Sequence, residues 1–131
     1  MSDPVVFISH FRIKQGKVGA LERLSLEVTD RLRADKPRTV LFLSYTDEDR
    51  SVISFLHAFA DADAMDAHFE GAAERARMAL EFLEPVGWEF YGEPSAAALE
   101  AVRQAATASG ATLTVEPRYV AGFLRLSSAS A

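Results

Sequence analysis

The sequence predicts an α+β domain built on an antiparallel sheet, with helices on one side of it. Three observations predict it. Runs rich in β-branched and aromatic residues recur at residues 5–14, 39–46, 51–60 and 88–92. Between them lie two stretches with apolar positions at helical spacing, residues 18–33 and 61–83. The second and third runs are joined by only the charged turn Asp47-Glu48-Asp49-Arg50, a connection that permits an antiparallel hairpin and no crossover.

The first run presents Phe7, Ser9, Phe11 and Ile13 on one face and Val6, Ile8, His10 and Arg12 on the other. Gln15-Gly16-Lys17 turns the chain into a helix whose stripe is Leu21, Leu24, Val28 and Leu32, stopped by Pro37. Arg31, Arg33 and Lys36 fall where cations complement a helix dipole. After the hairpin, Asp61, Asp63 and Asp66 open the longest expected helix, where carboxylates cap free N–H groups. Its stripe is Met65, Phe69, Ala72, Ala76, Leu80 and Leu83, and Pro85 and Gly87 are expected to end it before a strand at residues 88–92. The order is βαββαβ, a ferredoxin-like arrangement. A further helix is expected at residues 95–107, with Leu99 and Val102 inward, and extended chain at residues 112–126, broken near Pro117. The expected organisation is one core domain over residues 1–93, its helix-strand extension over 94–126, and a frayed tail at 127–131.

The composition narrows the function. With 131 residues, 49% hydrophobic and 25% charged, the chain is the size and balance of one globular domain. It has no cysteine, which excludes disulfides, thiolate zinc sites and cysteine nucleophiles. The net charge of −5 and the lack of a Lys/Arg cluster argue against nucleic acid. No apolar run approaches the ~20 residues that span a bilayer, and Met1-Ser-Asp-Pro lacks a basic leader. A cytoplasmic protein without membrane attachment is expected.

Neither face of the first or third strand is polar: Ile53, Phe55, His57 and Phe59 oppose Val52, Ser54, Leu56 and Ala58. A sheet solvated on one side should alternate. Both faces are therefore expected to be covered, one by helices and the other by a second subunit. The competing arrangement lays residues 112–126 across the second face.

The stretch Phe55 to Gly71, FLHAFADADAMDAHFEG, joins an aromatic strand end to an Ala/Asp-rich helix start and then Ala-x-x-x-His, here Ala64 and His68. This junction, with the element order from Val5 to Gly92, resembles the antibiotic biosynthesis monooxygenase (ABM) superfamily of dimeric α/β barrels. The resemblance covers about two-thirds of the chain and does not reach past Pro94. It implies a homodimer with a small-molecule pocket in each subunit and a cofactor-independent monooxygenase acting on a small aromatic or quinol-like substrate. Two better-known activities of that superfamily use an Asn and a Trp. This chain has no asparagine, its single Trp88 falls on the fourth strand, and Ser9 stands where haem-degrading relatives place Asn. Those mechanisms do not carry over.

His68, beside Phe69 at the edge of the helix stripe, is the leading candidate base, since imidazole titrates near neutrality. His57 shares a strand face with Phe55 and Phe59 and is either a pocket residue or an ordinary core histidine; His10 has the same ambiguity. Tyr45 and Ser9 are candidate hydrogen-bond donors. Phe7, Phe11, Phe42, Phe55 and Phe69 form either an aromatic wall for a planar ligand or plain core. The three histidines lack metal-site spacing, and Asp61-x-Asp63-x-x-Asp66 lacks the Gly and closing Glu of a calcium loop. No cofactor is expected. Two other readings stand beside the oxygenase: a non-catalytic dimeric carrier, sensor or stress-associated protein, and a haem-binding protein.

Overall fold

The computed structural model describes residues 3–125. The order is β1 (Val5–Ile13), α1 (Val18–Asp35), β2 (Thr39–Thr46), β3 (Val52–Phe59), α2 (Ala62–Phe69), α3 (Ala72–Ala79), β4 (Leu83–Tyr91), α4 (Ala96–Ser109) and β5 (Thr112–Glu116). The strands form one sheet in the order β2-β3-β1-β4-β5. The first four are antiparallel. β5 runs parallel to β4, so the sheet is mixed where an antiparallel one was expected. The helix between β4 and β5 supplies the crossover that a parallel pair needs.

The expected single helix over residues 61–83 is two. Glu70 turns to an extended conformation, and Gly71 follows in the left-handed region (φ 81°), which glycine enters at no steric cost. The helix also stops short of Leu83, and β4 begins there, five residues before the expected strand start. Pro85 and Gly87 lie inside β4. Pro85 sits where the register of β4 against β1 shifts, opposite Phe11, below the first residue paired with β5. A bulge without a second neighbour is where a strand tolerates a residue that has no N–H. Gly87 is needed for close approach: a Cβ there would lie 2.4 Å from Thr112 Oγ1.

Cross-strand pairing defines two faces. Phe7, Ser9, Phe11 and Ile13 share theirs with Ile53, Phe55, His57, Phe59 and Phe90. All four helices pack there, in two separate groups. α2 and α4 place Met65, Ala64, Ala98 and Val102 on Phe7, Phe59 and Phe90. α1 and α3 place Val18, Leu21 and Ala79 on Ile13, Ile53 and Leu83. The expected stripe of α1 is buried only at its ends, Leu21 and Leu32; Leu24 and Val28 are half-buried, so the layer is not sealed beneath the middle of α1.

Caps tie the helices to this frame. The Asp61 carboxylate accepts Ala64 N–H at 2.8 Å, as expected of a capping residue. Asp66 has another role: it accepts the Ser95 hydroxyl at 2.7 Å, and Ser95 in turn caps α4. Lys36 serves the dipole of α2 more than that of its own helix, its Nζ donating to the carbonyls of Ala67 and Glu70 at 2.9 Å.

The second face carries Val6, Ile8, Leu43, Leu56 and Tyr91 around a polar chain. His10 Nδ1 lies 2.7 Å from Ser54 Oγ, His10 Nε2 contacts Glu89, and Glu89 accepts the Tyr91 hydroxyl. The extension does not cover this face. β5 adds to the sheet edge, and beyond it Val120 and Phe123 stand 92% and 81% exposed. The expected extended chain over residues 112–126 is a strand only as far as Glu116, and residue 126 with the expected frayed tail at 127–131 lies outside the described residues.

Candidate functional site

Strand β3 and helix α2 bring the two strongest sequence candidates together. His57 points inward from β3 opposite Phe42 and Phe7, and His68 descends from the last turn of α2. Their ring centroids are 5.0 Å apart, nearly perpendicular. Both are buried, at 7% and 4% exposure.

Each ring is oriented through Nδ1. His57 Nδ1–H donates to the Phe7 carbonyl at 3.0 Å, which leaves a lone pair on Nε2. His68 Nδ1 lies 2.7 Å from Thr39 Oγ1. Either group can donate in this contact, so the His68 tautomer follows from which of the two does. Of the two rings, His68 lines a recess beside the α1–β2 turn. His57 presents a lone pair on Nε2, while His68 can present either a lone pair or a hydrogen on its own.

Burial depresses both rings. His57 falls from 6.5 to about 4, chiefly by desolvation, against the opposing pull of its bond to Phe7. His68 falls to about 3, by desolvation and then by the charges of His57, Arg75 and Lys36. Arg75, itself lowered by burial, donates from α3 to the His68 carbonyl at 2.6 Å and the Glu70 carbonyl at 3.1 Å. Two cations thus flank the end of α2, and both rings are neutral at physiological pH.

An aromatic row leads from the pair along the sheet. Phe42 meets His57 at 5.1 Å and stacks on Phe55 at 6.0 Å; Phe55 meets Phe11 at 5.9 Å, and Phe11 meets Trp88 edge-on at 6.1 Å. Phe42, Phe55, Phe11 and Trp88 are all only half-buried, along the seam between the two helix groups. Ser9 lies in this seam, paired with Phe55 and Trp88. Phe69 packs on Phe7 at 5.2 Å, on the α2 side, and belongs to the core.

Tyr45 and His10 are not part of this assembly. Tyr45 pairs with Ser54, and Ser54 with His10, so strand alternation puts both on the opposite face, Tyr45 at 59% exposure. Tyr45 therefore lies on the other side of the sheet from His57 and His68. Thr39, Arg75, Lys36 and Trp88 are the residues sequence reasoning missed. Trp88 was readable from its alternation with Phe90; nothing in the sequence marks Thr39 or Arg75 as reaching His68.

A recess of about 120 Å3, lined by Lys36, Arg38, Thr39, Ala64, Ala67 and His68 among others, reaches His68 from the α1–β2 turn. The larger recess, about 250 Å3, is bounded by Asp3, Asp61, Asp63 and Glu93 and lacks the aromatic and histidine side chains of the first. No cluster of three or more His, Asp or Glu among the described residues is placed to hold a metal ion.

The fold is shared with proteins of distant sequence. MupZ from Pseudomonas fluorescens superimposes with a TM-score of 0.65 at 13% identity, over 93% of this chain and 91% of that one. Rv0793 from Mycobacterium tuberculosis does so at 0.60 and 19%, over 71% and 97%. A candidate antibiotic biosynthesis monooxygenase from Caulobacter crescentus does so at 0.57 and 18%, over 68% and 88%. No protein-family model matches the sequence, and no curated protein matches it. The chain therefore has the ABM-like ferredoxin-type fold, with a helix-strand extension included in its overlap with MupZ. No helix among the described residues is long and apolar enough to cross a membrane.

Proposed function

We propose that the chain is a cofactor-independent oxygenase that works as a homodimer and acts on a small, acidic, quinol-like or enolisable aromatic compound. The observation that carries this reading is the convergence of His57 and His68 at one end of a half-buried aromatic row. The His57 Nε2 lone pair takes the substrate proton, and the His68 Nε2–H steadies the oxyanion that results. Sequence reasoning had His68 as the base; this reading gives that role to His57, whose bond to the Phe7 carbonyl leaves its lone pair on Nε2. Lys36 and Arg75 supply a positive field for the anion.

The depressed histidines limit the substrate. Moving a proton from an ordinary phenol to a ring near pKa 4 costs about 8 kcal/mol, whereas an enol that ionises near neutrality costs about 4. Dioxygen then adds to the electron-rich carbanion. In the net change a substrate methylene becomes a carbonyl. One atom of dioxygen stays on that carbon, and the other leaves as water with the two methylene hydrogens. The substrate supplies all four electrons, so no further reductant is needed.

Oxygen uptake with an anthrone as probe tests the reading. Turnover is expected with the intact chain, and His57→Gln is expected to lose about a hundredfold or more. Uptake that is the same with and without protein overturns the oxygenase assignment. Ligand binding without uptake favours the carrier or sensor reading, which the low basicity of both rings supports.

A further inference from the structure

We propose that residues 117–125 form an arm that latches onto the acidic turn and β2 edge of a second copy of this chain. The arm leaves the sheet at the end of β5 and turns on itself, the Tyr119 hydroxyl donating to the Gly122 carbonyl at 2.6 Å. It holds Val120 and Phe123 out in solvent at 92% and 81% exposure. A segment that holds two apolar side chains this far out marks a contact with another molecule. Arg118 and Arg125 form no ion pair among the described residues; Arg125 lies over the Phe123 ring at 5.1 Å.

The complementary surface lies on the same chain at the far corner of the sheet. β2 is the other edge strand, and Val40, Leu43 and Tyr45 on it are 39%, 41% and 59% exposed. The turn that follows it carries Glu48 and Asp49, exposed and without ion pairs among the described residues. The register sets the two features diagonally apart. Glu116 lies level with Tyr91, Val6, Ala58 and Leu41, four strands across from β2 and six residues short of Asp47. At about 4.8 Å between strands and about 3.3 Å per residue, that diagonal is roughly 28 Å. Nine residues reach about 30 Å only when fully extended, and this arm is folded back. Contact within one copy is thereby excluded. A two-fold axis between two sheets packed on their second faces at a near-right angle exchanges these corners, so each copy's arm meets the other's turn. Apolar side chains then meet the exposed β2 residues, and two guanidinium groups meet two carboxylates at the rim.

The inference rests on the homodimer proposed above and is tested by sedimentation of the intact chain and of charge-reversed variants, each checked for folding by circular dichroism. R118E/R125E and E48R/D49R are each expected to weaken self-association about tenfold, and the four changes together to restore it. V120S/F123S is expected to weaken it by more, about a hundredfold. A dimer of unchanged affinity in all variants, or no restoration in the combined variant, overturns the arm contact and leaves the sheet-face dimer standing. An intact chain that sediments as a monomer at every concentration overturns both.

Discussion

The edge-to-face contact of His57 with His68, 5.0 Å between centroids at 80°, places two neutral imidazoles from different elements over one aromatic row. Neither ring owes its orientation to the other. One is set by the backbone of β1 and the other by a threonine at the start of β2, so the pair can be taken apart one bond at a time.

Stability should depend on acid in a defined window. Both rings are held below their ordinary value of 6.5, so the fold favours their neutral forms. Their contribution is fully present above pH 6.5 and is lost as pH falls toward about 4 for His57 and about 3 for His68. Between pH 6 and 4 the unfolding free energy should drop by about 1.4 kcal/mol per pH unit for each ring. Urea melts across that range measure it, and His68→Phe should remove close to half of the slope these two rings supply.

Thr39→Val keeps the shape of the threonine and removes the hydroxyl that contacts His68 Nδ1. The expected cost is about 1–2 kcal/mol of stability. Activity should fall by more than stability explains, because His68 can then adopt the tautomer with its lone pair on Nε2. A variant with full turnover would detach Thr39 from the chemistry.

The seam between β4 and β5 offers a packing test. Gly87→Ala puts a methyl against Thr112 Oγ1, and should cost about 1–3 kcal/mol in thermal or urea melts. T112A, which deletes that oxygen, should recover most of the loss in the double variant. If it recovers none, the clash with Thr112 Oγ1 is not the source of the loss.

Leu56→Glu tests whether the second face is an interface. Leu56 is half-buried there beside Ile8 and Leu43. A charge at that point should change the folded monomer little and weaken dimerisation about a hundredfold or more, as read by size-exclusion chromatography with light scattering.

Most of the fold was legible because its signals are local. Alternating faces in β1 and β3, the helical stripe of α1 and the four-residue turn each occupy one short stretch. The breaks were harder. Glu70-Gly71 lies within an apolar stripe that continues at helical spacing, so periodicity alone runs through it. Pro85 and Gly87 read as helix terminators because the bulge and the close approach of Thr112 that accommodate them depend on strands distant in sequence. At the site, His57 and His68 were visible as polar residues on apolar stripes. Tyr45 was misplaced although alternation along β2 from Phe42, three residues before it, already puts it on the opposite face.

The central claim is that His57 and His68 meet a ligand with opposite roles. Long-range 1H–15N NMR of the imidazole nitrogens at neutral pH tests it most directly. The account predicts two neutral rings in different tautomers, with hydrogen on Nδ1 of His57 and on Nε2 of His68, and a shift of the His57 signals toward the protonated form when an acidic enol is added. Two rings in the same tautomer, or either one charged before ligand is added, would contradict it.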